Sequence, residues 1–282
     1  MTPRSGCADA PIENGRSFLF VPADDARKLA SADRSGADVV VADLEDAVAS
    51  AEKAAARRTL EEFVAGRHGG PTLLVRVNAP RSQAIEADLE CIRGLSIHGI
   101  VVPKAHPGEL APVDLGGLPV VAMVEDAEGV RGAFELAQVA NVVRLALGGV
   151  DLAAELGLTP RADGLQLLHV RSRLVIDSAA AGVAPPIDTP YLRYRDDEGL
   201  RAECELARSL GFGAKACIHP AQVERVSRTF APSDDDLEWA RSVVAAYEQD
   251  GRGVTGHDGE MIDAPVVARA RALLGQATDT ES

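Results

Sequence analysis

The chain is poor in aromatic residues, 4% of the total with one tryptophan, and carries only four cysteines in 282 positions. Cys7, Cys91, Cys204 and Cys217 form no C-x-x-C pair and no close metal spacing, which argues against a disulfide or zinc scaffold and for reduced thiols. Basic residues are also in short supply: 29 Lys and Arg stand against 43 Asp and Glu, a formal charge of −14, with no basic run. Such a field repels nucleic acid and anionic membrane surfaces, so neither is expected as a partner. No apolar stretch approaches the roughly 18 residues of a membrane span. The N-terminus MTPRSGCADAPIENGRS has no apolar signal core. The expectation is a soluble, cytoplasmic protein.

What is present is a hydrophobic content of 46%, enough for one large core. Short apolar, β-branched runs recur at 17–21, 38–44, 72–77, 99–103, 120–124 and 142–147, with weaker ones at 182–187 and 214–218. Runs without polar alternation suit strands covered on both faces, which means parallel strands with crossover helices. Eight such units predict a TIM (β/α)8 barrel, with an open doubly wound sheet as the structural alternative. The run at 182–187 is interrupted by two prolines, which disfavour a central strand. Between the runs, SAEKAAARRTLEEFV reads as a helix capped by Ser50, with Ala54, Ala55, Leu60 and Phe63 near helical spacing. AEGVRGAFELAQVA reads as another helix, and LRAECELARSLGFG as one ended by glycine. The expected organisation is a flexible N-terminus at 1–14, a barrel over 15–232, a C-terminal helical extension over 233–275 and a flexible tail at 276–282.

The stretch VVVADLEDAV (39–48) runs a buried strand into Asp43, Glu45 and Asp46. A solvated loop and a functional mouth explain it equally well in isolation. The other strand ends favour the mouth: Arg76 and Asn78 stand at the end of strand three, Lys104 follows strand four, Glu125 and Asp126 strand five, Asp151 strand six, Asp188 strand seven and His219 strand eight. In a TIM barrel that rim hosts the active site. Glu125 and Asp151, 26 residues apart, should stand on neighbouring strands at one height. Two such carboxylates repel unless a cation lies between them, and Mg²⁺ keeps most of its ligands as water and substrate. The competing reading pairs one of them with Arg76 or Lys104. Gly148 and Gly149 allow close backbone approach and could offer N–H groups to an anion. Arg76, a guanidinium at the end of a buried strand, needs an anion, either a substrate carboxylate or an acid such as Glu45 or Asp46. His219 reads as a hydrogen-bonded rim histidine ahead of a base or substrate contact. For Lys104, an acid at the mouth and a substrate phosphate remain equal alternatives.

RSFLFVPADDARKLASA, ADVVVADLEDAVASAEKAAAR, LLVRVNAP, GIVVPKA, VAMVEDAEGV, LALGGVDLAAELG and LGFGAKACIHPAQV, with a later GEMIDAP, together resemble the citrate lyase beta-subunit-like, or CoA-ester lyase, family of the HpcH/HpaI aldolase superfamily. The resemblance runs from about residue 16 to residue 232. It implies a Mg²⁺-dependent barrel (Mn²⁺ being the alternative ion), usually a homotrimer or a multiple of one. The implied reaction cleaves or forms a carbon–carbon bond between a 2-oxo acid and an acyl-CoA, as in malyl-CoA, citramalyl-CoA or citryl-CoA. Under the resemblance Glu125 and Asp151 are the metal ligands, and Arg76 binds the oxo acid with Glu45 and Asp46 in support. Asp263 of MIDAP is then the catalytic acid/base, supplied across a subunit contact. Two departures put substrate choice in doubt: Asp126 stands where the family often has Thr, and Val150 where it often has an acid. The rival readings are a citrate lyase beta subunit acting on an acyl carrier protein thioester and a thioester-free metal-dependent aldolase.

Overall fold

In the computed structural model, which describes residues 10–161, 163–250, 255–257 and 260–278, the eight apolar runs are eight parallel strands. They are β1 (Ser17–Pro22), β2 (Val39–Asp43), β3 (Thr72–Arg76), β4 (Gly99–Val102), β5 (Val120–Val124), β6 (Val142–Leu147), β7 (Ala184–Asp188) and β8 (Ala214–Cys217). Each pairs with the next, and β8 closes on β1 through Ser17↔Lys215, Phe18↔Ala216 and Leu19↔Cys217. The closed barrel excludes the open doubly wound sheet. Cys7 lies outside the described residues; Cys91, Cys204 and Cys217 are free thiols, as expected.

The alternation of side chains explains why the strands look uniformly apolar. Phe18, Val39, Val41, Leu74, Val101 and Val121 point into the barrel and pack together. Their neighbours Leu19, Val40, Ala42, Leu73, Val75 and Ile100 point outward into the layer shared with the helices. Both faces are dry, and full burial of a Val, Leu or Ile side chain contributes about 1.5–3 kcal/mol. The prolines of β7 are accommodated because its ladder is thin. It is matched to β6 at Arg144↔Ala184 and Ala146↔Ile187 with an irregularity between, and to β8 at Ile187↔Ala214 and Asp188↔Lys215. Missing N–H groups cost little there, and the proline carbonyls still accept, Pro185 from Arg144 Nε at 2.6 Å and Pro186 from the Gly213 amide at 3.1 Å.

The lower end of the barrel is closed by the helix Ala10–Asn14, a stretch expected to be frayed; Ile12 is buried in the interior cluster. The Arg144 guanidinium donates to the carbonyls of Ile12 and Gly15 at 3.0 and 2.8 Å, tying that helix to β6. Full burial lowers the Arg144 pKa to about 9.

The helices depart locally from expectation. Ser50 opens a 3-10 turn instead of capping, and the helix Lys53–Ala65 turns Ala56, Leu60 and Val64 inward while Ala54 faces solvent. The segment after β5 breaks at Gly132 into Ala127–Arg131 and Ala133–Ala137. Asp197–Leu210 ends as expected, on Gly211 at φ 103°, where a side chain would be strained. A second unit, Ala231–Ser282, holds the expected helices Asp234–Asp250 and Ala264–Thr278 around a core of Ala240, Val243, Ile262, Val267 and Ala270. Between them an antiparallel pair, β9 (Thr255–His257) and β10 (Glu260–Ile262), interrupts the expected helical extension. Among the described residues no helix is long and apolar enough to cross a membrane.

Candidate active site

Asp43 and Arg76 end adjacent parallel strands in register with one another. That register aligns a carboxylate and a guanidinium side by side: Arg76 Nε donates to Asp43 Oδ1 at 2.7 Å and Nη2 to Oδ2 at 2.5 Å. The same carboxylate accepts the backbone amides of Glu45 at 2.8 Å and Ala47 at 3.1 Å, so Asp43 folds the acidic loop as well as holding the arginine. Arg76 Nη1 lies 3.1 Å from Glu45 Oε2, and its Cζ sits 5.3 Å from the Phe20 ring centre. Burial works against the charged guanidinium, but Asp43 and Glu45 outweigh it and its pKa rises.

Lys104, two residues past β4, has φ 46°, a left-handed conformation that is costly for a side-chain-bearing residue. The conformation serves two contacts at once. Its backbone N–H donates to Glu125 Oε1 at 2.6 Å, and its ammonium donates to Glu45 Oε1 at 2.6 Å while standing 3.7 Å from Glu125. Of the two readings left open for Lys104, neutralising an acid at the mouth is the one seen. The Glu125–Lys104 ion pair was also the competing reading for Glu125.

Glu125 follows β5 directly and is 2% exposed. Its Oε2 is buried without a hydrogen-bond partner. Burial first, then the nearby Glu45 and Asp151 charges, push its pKa up to about 7 against the pull of Lys104. Gly148 packs on this carboxylate so closely that an added Cβ would stand 2.3 Å from Glu125 Cβ. The Gly148 N–H is spent on the Val124 carbonyl at 2.9 Å and is not offered to an anion. Asp151 follows in the first turn of the helix Gly149–Glu155, exposed and lining the mouth. Among the described residues no three His, Cys, Asp or Glu side chains gather into a metal-holding group. The orphaned oxygen of Glu125, the strain of a buried carboxylate and the neighbouring Asp151 nevertheless fit Mg²⁺, which takes few protein oxygens and leaves the remainder to water and substrate.

Beside these side chains a cavity of about 300 Å³ opens at the C-terminal ends of the strands, lined by Asp43, Arg76, Gly148, Asp151, Asp188 and Thr189 above a floor of apolar interior residues. The structure brings Arg76, Glu45, Lys104 and Glu125 together, with Asp151 beside them. Asp46 differs from expectation: it does not touch Arg76 but faces solvent 3.8 Å from Lys104, and Asp43 takes the supporting place assigned to it. That partnership was legible in principle, because both residues end neighbouring strands. Asp188 is neutralised below the rim by Arg171 at 2.8 Å and Lys215 at 2.6 Å, a buried cluster shared with Glu203 that no motif announced. Asn78 is a structural link, donating to Asp88 and to the Leu44 carbonyl. His219 accepts from the Ala221 amide and stacks on Tyr194 at 4.7 Å, a satisfied rim histidine. Asp126 caps the helix Ala127–Arg131 through the Gly129 amide and meets His106 Nε2 at 3.0 Å. Asp263 lies in the second unit, where it precedes the helix Ala264–Thr278 and accepts from the Val266 amide at 3.2 Å.

A family model described as HpcH/HpaI aldolase/citrate lyase matches residues 16–220. The chain is 37% identical over 277 residues to a citrate lyase subunit beta-like protein of Mycobacterium tuberculosis, covering 95% of this chain and 97% of that one. It is 36% identical over 269 residues to a (3S)-malyl-CoA thioesterase of Cereibacter sphaeroides, with coverage of 93% and 94%. The solved structure of protein CitE from Mycobacterium tuberculosis in complex with magnesium, acetoacetate and coenzyme A matches with a TM-score of 0.84 at 36% identity, covering 94% of this chain and 98% of that chain. A barrel with this rim chemistry and relatives matched over nearly its whole length belongs to the HpcH/HpaI aldolase/citrate lyase family of lyases.

Proposed function

We propose that the protein is a magnesium-dependent carbon–carbon lyase that cleaves, or forms by Claisen-type condensation, a 3-hydroxy-3-carboxyacyl-CoA, with acetyl-CoA and a 2-oxo acid as the other partners. The observation that carries the reading is the buried, half-unpartnered Glu125 carboxylate beside Asp151, facing an arginine held rigid by two acids. Similarity to a protein solved with magnesium and coenzyme A supports it.

Glu125 and Asp151 would hold the ion, which when bound supplies Lewis-acid polarisation of a substrate oxygen. Arg76 presents its remaining Nη hydrogens to the substrate carboxylate, and Asp43, Glu45 and Phe20 fix the direction of that fork. In cleavage the hydroxyl proton leaves to solvent or a base, and the bond between the hydroxyl-bearing carbon and the thioester α-carbon breaks. Its electron pair passes to the thioester as an enolate, and the former hydroxyl carbon becomes the 2-oxo group. Asp263 is the proposed acid that protonates the enolate carbon, and the base that removes that proton in the reverse direction. This role rests on the MIDAP motif alone. The homotrimer likewise stands as a proposal, open to light scattering.

Mass spectrometry of reactions containing Mg²⁺, acetyl-CoA and, separately, glyoxylate, pyruvate or oxaloacetate, each repeated with EDTA, tests the reading. A chelator-sensitive malyl-, citramalyl- or citryl-CoA product is expected. No adduct with any of them would move the assignment to an acyl-carrier-dependent subunit or a thioester-free aldolase. Asp263→Asn should lose orders of magnitude in turnover while keeping Mg²⁺ and oxo-acid binding, and near-normal turnover would remove it from the mechanism. The 36% identity to a (3S)-malyl-CoA thioesterase favours a second reading, in which the thioester is also hydrolysed; free malate and CoA in the glyoxylate reaction would identify it.

A further inference from the structure

The charge balance and the floor of the cavity bear on which oxo acid fits, an inference that rests on the cavity being the oxo-acid site. Among the described residues lining it, Arg76 is the one base. Two of its nitrogens are already committed to Asp43, and a third lies against Glu45. The other cation at the mouth, Lys104, is engaged by Glu45. Around these two bases stand five carboxyl groups, Asp43, Glu45, Asp46, Glu125 and Asp151, so acids outnumber bases at the mouth. Two added positive charges at Glu125 and Asp151 would still leave one acid in surplus. Asp188 offers no relief, because Arg171 and Lys215 are matched by Asp188 and Glu203 and are buried beneath the wall.

Below Arg76 the cavity is lined by Phe20, Val101, Val121, Met123, Ala146 and Ile187. Most of these belong to the dry packed interior of the barrel and provide no hydrogen-bond donor. A carboxylate pressed against them would lose its hydration without gaining a partner, whereas a methyl or ethyl group would gain contact. At the rim, the cavity-lining position immediately before Asp151 is Val150, a neutral side chain 43% exposed.

From these observations we infer that the cavity selects a 2-oxo acid bearing a single carboxylate and a short apolar substituent, and rejects one whose substituent carries a second carboxylate. Arg76 takes the shared carboxylate, and the apolar floor reads the substituent. Rejection comes from the missing second cation, not from size.

Calorimetric binding of pyruvate, freshly dissolved oxaloacetate and 4-methyl-2-oxopentanoate to the full-length protein in Mg²⁺ buffer tests this directly. The last compound has the shape of oxaloacetate with two methyl groups in place of the distal carboxylate oxygens. Pyruvate should bind roughly tenfold or more tightly than oxaloacetate, and the isostere with the uncharged substituent should also bind more tightly than oxaloacetate. Val150→Lys, at an exposed helical position that tolerates the side chain, should narrow the preference about fivefold or more by supplying the absent cation. Oxaloacetate binding as well as pyruvate, no binding by any of the three, or a preference unmoved by Val150→Lys would each overturn the inference. Failure of the functional reading looks different: the binding order holds, but no thioester adduct forms from acetyl-CoA.

Discussion

Gly148→Ala isolates the contact on which the candidate metal site depends. At φ −86° the backbone of Gly148 is open to alanine, so the substitution acts through the added carbon and not through backbone strain. That Cβ would stand 2.3 Å from Glu125 Cβ and 2.5 Å from Glu125 Oε2. To reach ordinary van der Waals separation the two elements must part by roughly 1 Å. Glu125 cannot simply rotate away, because its other oxygen is held by the Lys104 amide at 2.6 Å. Overpacking of this kind costs about 1–3 kcal/mol. In a barrel of this size each kcal/mol corresponds to a Tm decrease of roughly 2–4 °C. Displacing a carboxylate of the proposed metal site by about 1 Å is worth on the order of a hundredfold in turnover. The expected phenotype is therefore a folded protein with Tm lowered by several degrees, weakened Mg²⁺ affinity by calorimetry, and Mg²⁺-dependent carbon–carbon bond formation reduced about a hundredfold. Gly94→Ala, where an added Cβ meets nothing within 4 Å, is the matched control. If Gly148→Ala and Gly94→Ala were alike in Tm, Mg²⁺ affinity and turnover, the reasoning about Glu125 would be refuted.

Asp43→Ala should destabilise the protein by roughly 3–5 kcal/mol, since it strips a buried guanidinium of its bidentate partner and leaves the Glu45 and Ala47 amides without an acceptor. It should also raise KM for the oxo acid; a thermal melt within a degree of the parent would contradict that role. The His106–Asp126 pair predicts a pH window. Burial opposes the charge on His106, but Asp126 and Glu109 raise its pKa above the ordinary 6.5, so its contribution is present below 6.5 and disappears as pH rises through the raised value. Burial likewise opposes ionised Asp126, but His106 and the Gly129 amide hold its pKa below the ordinary 3.8; its contribution is present above 3.8 and lost as pH falls through the lowered value. The Tm difference between the parent protein and His106→Gln should peak between pH 3.8 and 6.5 and shrink toward pH 9; a difference that grew with pH would show the sign to be wrong.

Much of the architecture could be read from residue order, because most of the eight apolar runs exceed what a half-exposed strand would carry and so call for parallel strands covered on both faces; the closure of β8 on β1, which separates a barrel from a doubly wound sheet, is set by tertiary pairing. The helix details could not. In Lys53–Ala65 the expected Leu60 and Phe63 pack on the core, but alanines occur on both faces of that helix, and only packing distinguishes buried Ala56 from exposed Ala54. The split at Gly132 and the short hairpin β9–β10 were missed for a similar reason: two- or three-residue departures carry too little periodicity to register.

For the site, sequence alone determined which residues could matter: Arg76, Glu125, Asp151, Glu45 and Asp46 stand at or just past predicted strand ends, and strand ends share one rim. Tertiary structure decided which of them meet. Strand register, not proximity in the chain, pairs Asp43 with Arg76 across 33 residues and leaves Asp46 to solvent. A left-handed turn at Lys104, invisible in composition, joins Glu45 to Glu125 across the mouth. Burial, which depends on every neighbour at once, raises Glu125 to about 7 and leaves one of its oxygens without a partner. A sequence specifies which charges are available, but the dielectric around each and the company it keeps arise only when the chain closes on itself.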